Sequence, residues 1–73
     1  MEDYNAHEIL VSMLEPGQRF YLFGRIMEIA YIAKSSEGDG LRLIMFKELN
    51  NQLERGTLRL NAASEITILL NKE

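Results

Sequence analysis

The apolar residues of this chain are densest between Phe20 and Lys47, in two runs, F-Y-L-F-G-R-I-M-E-I-A-Y-I-A-K and L-R-L-I-M-F-K, separated by S-S-E-G-D-G. Two runs rich in Ile, Phe and Tyr around a short Gly/Asp/Ser cluster predict a β-hairpin or two facing elements, with Ser35 to Gly40 as the turn. Read as a strand from Gln18, the first run puts Phe20, Leu22 and Ile26 on one face and Arg19, Tyr21, Phe23 and Arg25 on the other. Past Gly24 the apolar set moves to Met27, Ile29 and Tyr31, a change of parity that a bulge at Gly24 would produce. The same residues are also coherent as a helix starting at Pro16, with Gln18, Arg25, Glu28 and Ser35 on its polar side. The aromatic and β-branched content favours the strand.

On either side of this region the pattern changes period. In D-Y-N-A-H-E-I-L-V-S-M-L, residues 3 to 14, Ala6, Ile9, Leu10, Met13 and Leu14 recur at helical spacing, Asp3 can cap the start, and Pro16 and Gly17 end it. Leu41, Leu43 and Met45 alternate with Arg42, Ile44 and Phe46, which predicts a strand with the first three inward. K-E-L-N-N-Q-L-E-R, residues 47 to 55, spaces Leu49 and Leu53 four apart before Gly56 and predicts a short amphipathic helix. T-L-R-L-N and E-I-T-I-L-L, around Ala62 to Ser64, read as a closing hairpin with Leu58, Leu60, Ile66 and Ile68 inward.

These elements sum to an α+β fold in residues 1–73, one small domain. Its expected architecture is a bent antiparallel sheet or partly open barrel of about four to five strands, with an N-terminal helix and a short helix before the last hairpin. The expected core is Ile9, Leu10, Met13, Leu14, Phe20, Leu22, Ile26, Ile29, Leu41, Leu43, Met45, Leu49, Leu53, Leu58, Leu60, Ile66 and Ile68. In outline, a first helix followed by short strands resembles Sm-like and OB-type barrels, a likeness of architecture that implies no function.

Length and composition bear on how such a domain is stabilised. A chain of 73 residues buries only about 60% of its unfolded surface. With no cysteine there is no disulfide framework, so association is the remaining route to more buried area. The hydrophobic content of 47% points the same way, toward a homo-oligomer. The opening M-E-D-Y-N lacks the basic start and apolar stretch of a secretory leader, and no apolar run approaches the ~18 residues of a membrane span. A cytoplasmic protein with no membrane partner is expected. Net charge is −3, with Glu2, Asp3, Glu8 and Glu15 and no Lys or Arg before Pro16, while the rest of the chain is nearly balanced.

No catalytic, cofactor or metal motif stands out. His7 is the sole histidine, and the E-G-D-G loop is not followed by the remaining oxygen ligands of a calcium loop. An enzyme is therefore not expected. The feature with chemical content is the row Arg19, Tyr21, Phe23, Arg25, extended by Arg42 and Phe46 on the neighbouring strand. Such a face is most simply covered, by the acidic first helix with Glu2, Asp3, Glu8 and Glu15 toward Arg19 or Arg25, or by a subunit partner. Left open, it suits a protein partner, or single-stranded nucleic acid stacking on rings with Arg along the phosphates. The expectation is a non-enzymatic protein-interaction module acting as a small oligomer. The alternative is a nucleic-acid-binding regulator of small-barrel type, or of winged-helix type with residues 47 to 55 as recognition helix.

Overall fold

A computed structural model of the chain describes residues 4–34 and 40–71, the side chain of Gln52 excepted. Among the described residues six strands make one antiparallel sheet: β1 (Tyr4–Leu10), β2 (Arg19–Leu22), β3 (Arg25–Lys34), β4 (Leu41–Glu48), β5 (Asn51–Asn61) and β6 (Glu65–Asn71). Their order across the sheet is β1-β6-β2-β3-β4-β5. Apart from one 3₁₀ turn at Val11–Met13, the described residues contain no helix.

The expected α+β class is thereby corrected to all-β. The segment predicted as the first helix is β1, held by antiparallel pairing with β6 from Tyr4↔Asn71 to Leu10↔Glu65. Its side chains are mostly exposed, so backbone pairing along the margin of β6, rather than burial of an amphipathic stripe, decides its conformation; helix propensity is too weak to compete with that tertiary context. The segment predicted as the second helix divides between the end of β4, a turn at Leu49–Asn50 and the start of β5. A register slip after Lys47 sets Glu48 opposite Asn51, and the irregular residues in between carry the helix-like spacing of Leu49 and Leu53. The predicted capping residue Asp3 and most of the predicted turn, residues 35 to 39, lie outside the described residues.

The long strand from residue 19 is two strands. Phe23 and Gly24 both have positive φ, +53° and +75°, and join β2 to β3 as a two-residue hairpin turn of the mirror-image type that matches strand twist. Gly24 therefore serves the turn and not the bulge expected there; the irregularity in β3 lies further on. The β3–β4 register breaks between Ile29 and Tyr31, leaving Ala30 as the extra residue, and the inward-facing parity changes there.

The expected closing hairpin also takes another form. β5 and β6 are consecutive, yet β6 pairs with β1 and β2, and three strands lie between β6 and β5 in the sheet. In a flat sheet, strand spacing of about 4.8 Å would place these two roughly 19 Å apart. The connection through Ala62–Ser64 can span at most about 14 Å. The sheet must curl, and Leu58 and Leu60 of β5 line one cavity with Leu22 of β2 and Ile66 of β6. The corner is tied by backbone bonds from Val11 N to Ser64 O (2.8 Å), Ser12 N to Ala62 O (3.0 Å) and Ala62 N to Gly40 O (2.8 Å).

Inside the curl lie Val11, Leu14, Phe20, Met27, Ile29, Ile44, Phe46 and Ile68. Phe20 and Phe46 meet edge to face, centroids 5.6 Å apart at 83°, the geometry that ring quadrupoles favour. Ile9, Leu22, Leu58, Leu60 and Ile66 pack around them as expected. In β4 the expected parity is reversed: Ile44 and Phe46 are buried, whereas Leu41, Leu43 and Met45 are half-buried on the outer face. Apolar residues on both faces of L-R-L-I-M-F leave alternation with nothing to choose between, and pairing with Ile29 and Ile32 decides it.

Candidate functional site

The six residues singled out from sequence do not share one face. Arg19 and Tyr21 do, on the outer side of β2. Phe23 sits in the hairpin turn, and Arg25 returns on β3 opposite Leu22, so its side chain shares the inward parity of Phe20 and Met27 at the end of the curl. Phe46 is a core residue. Arg42, opposite Leu60, has the same inward parity at the far end of β4, and its Nη1 donates to the carbonyl of Leu41 at 3.1 Å.

The cations among these six are engaged within the sheet. Arg19 Nη1 donates to the Tyr4 hydroxyl at 3.2 Å, and its Nε lies 3.5 Å from Glu28 Oε2. The Tyr4 hydrogen bond is the main reason its pKa is raised further above the usual arginine value; the charge of Glu28 adds to this and burial opposes it. Glu28 also lies 3.8 Å from Lys47 Nζ, so one carboxylate on β3 holds cations from both flanking strands. Arg25 Nη1 is 3.6 Å from Glu48 Oε2.

The two most exposed large apolar side chains among the described residues sit at two turns. Phe23 is 91% exposed, and so is Leu53 in the irregular start of β5. Phe23 borders a groove of about 340 Å³ with Leu22, Arg25, Met27, Phe46, Glu54 and Arg55, which puts the β2–β3 turn and the β4–β5 turn at the same end of the molecule. Leu53, an expected core residue, instead follows the β4–β5 register slip and stands exposed. Tyr21 and Tyr31, also more than half exposed, lie on the outer face.

Sequence reasoning missed the two margins of the sheet. Among the described residues β1 pairs only with β6, and β5 only with β4, so each presents a row of backbone donors and acceptors on its other side. The alternating residues of T-L-R-L-N were a signal for β5, but helix-like spacing concealed β1.

Among the described residues no three His, Asp or Glu side chains gather as a metal site requires, and no helix is long and apolar enough to cross a membrane. No family model, curated protein or solved structure matches this chain.

Proposed function

We propose that this chain is a non-enzymatic, cytoplasmic protein-interaction module that works as a small oligomer. The observation that carries the reading is Phe23. A bulky residue occupies a left-handed backbone position (φ +53°) that Asn, Asp or Gly would fill with less strain, and its ring stands in solvent. Strain retained at a displayed apolar side chain is what a contact residue looks like. Leu53 and two unpaired sheet margins add surface of the same kind.

The nucleic-acid reading draws less support from the geometry. Its platform required Arg19, Tyr21, Phe23, Arg25, Arg42 and Phe46 on one open face, and the sheet distributes them over both. Fluorescence anisotropy at low salt, where phosphate contacts are strongest, is expected to show no binding of single-stranded oligonucleotides. Light scattering on a size-exclusion column tests the leading reading: a mass above that of one chain is expected at tens of micromolar, and a strict monomer overturns the oligomer.

A further inference from the structure

We infer that copies of this chain associate edge to edge, β1 of one against β5 of the next, with Glu8 seated between Arg55 and Arg59 of its neighbour. The inference rests on the oligomeric reading above and specifies its interface.

Backbone phase comes first. Bonded pairs alternate along an antiparallel ladder. The Val11 N to Ser64 O bond lies one step beyond the Leu10↔Glu65 pair. Ile9, His7 and Asn5 therefore bond to β6, and the N–H and C=O groups of Ala6, Glu8 and Leu10 point to the open side. By the same count, the Ala62 N to Gly40 O bond extends the Leu41↔Asn61 register. Leu60, Leu58 and Gly56 bond to β4, and Arg55, Thr57 and Arg59 point outward.

Facing comes second. Ala6 and Glu8 lie opposite Leu69 and Thr67, across the sheet from core-facing Ile68. Arg55, Thr57 and Arg59 lie opposite Lys47, Met45 and Leu43, across from core-facing Ile44 and Phe46. On both margins the residues offering backbone groups thus carry their side chains on the outer face, so two copies can join with outer face continuous with outer face. The sheet has six antiparallel strands, an even number, so β1 and β5 run in opposite directions and the new pair is antiparallel like every other.

Charge selects the pairing. Full overlap sets Leu10 against Arg55, Glu8 against Thr57 and Ala6 against Arg59, leaving Glu8 diagonal to both arginines, within reach of an ion pair. A two-fold β5·β5 contact centred on Thr57 would set Arg55 against Arg59, like against like. The favoured register also carries exposed Leu53 toward the end of β1, where Leu10 and Met13 are exposed. Such a head-to-tail contact continues from copy to copy and closes into a ring if the rotation permits.

The test uses the full chain with Glu8→Arg and Arg59→Glu, both at exposed positions, folding being checked by circular dichroism. In sedimentation velocity, each variant alone is expected to weaken association on the order of tenfold, and an equimolar mixture of the two to recover most of it, because each supplies the complement the other lacks. If the wild type associates but the single variants are unchanged, or the mixture does not recover, the contact lies elsewhere and the inference is overturned while the oligomer stands. If Arg59→Glu associates more tightly with wild type than wild type does with itself, the contact is β5·β5 and the inference is equally overturned. A monomeric wild type removes both readings.

Discussion

The ring of Phe46 lies directly over Gly56: a Cβ built on Gly56 would sit 2.6 Å from Cζ of Phe46 and 3.1 Å from Cε1. The two are cross-strand partners in β4 and β5, and the tip of the ring occupies the space that a side chain at residue 56 would need. Phe46 cannot easily give way, since it is buried in the core and meets Phe20 edge to face. Gly56→Ala is therefore expected to destabilise by about 1–3 kcal/mol, as overpacked sites do, in urea unfolding. Adding Phe46→Leu should reduce that cost, and a double-mutant cycle with no coupling would remove the explanation.

Neighbouring positions on β2 should behave oppositely. Phe20 is buried within the curl and Tyr21 faces solvent. Phe20→Ala is expected to cost about 3–5 kcal/mol, a large part of the roughly 5–15 kcal/mol that holds a small domain folded. Tyr21→Ala should stay within about 0.5 kcal/mol. Equal effects in thermal unfolding would mean that the facing assigned to β2 is wrong.

Where the sequence was legible, one face of a strand was unambiguous. Leu58, Leu60, Ile66 and Ile68 are placed inward by strict alternation, and all pack in or against the core. It was illegible where a strand has apolar residues on both faces, as in β4, or where a strand owes its existence to a partner distant in sequence. β1 and β6 are separated by most of the chain, and no local period can show that Ile9 will lie opposite Ile66. The candidate site suffered for a similar reason. The row from Arg19 to Arg25 depended on an unbroken strand, and the turn was hidden because Phe-Gly, unlike Asn-Gly, is not read as a hairpin signal.

That turn yields the next prediction. With Phe23 at φ +53°, Phe23→Asn should relieve part of the left-handed cost, about 1–2 kcal/mol for an ordinary residue, since Asn tolerates that region. A gain of 1 kcal/mol corresponds to a rise of about 4–8 °C in Tm for a domain of this size. The same substitution removes the exposed ring and should weaken association. A variant that is both more stable and less associated is the expected result; loss of stability would show that the ring is held by contacts within its own chain.

The outer-face network supports β1 at its first residue, where Arg19 donates to the Tyr4 hydroxyl while bound to Glu28. Tyr4→Phe removes that acceptor and leaves Arg19 with its carboxylate, so global stability should fall only by about 0.5–1.5 kcal/mol. The local effect should be larger. β1 is mostly exposed and paired on one side among the described residues, so it belongs to the part of the sheet that opens most readily. Hydrogen exchange at concentrations below association should show the amides of Asn5, His7 and Ile9, which bond to β6, losing protection in Tyr4→Phe while that of Ile44 in β4 is unchanged. Uniform loss across both strands would mean that β1 opens only with the whole sheet, and that the Tyr4–Arg19 contact does not anchor it separately.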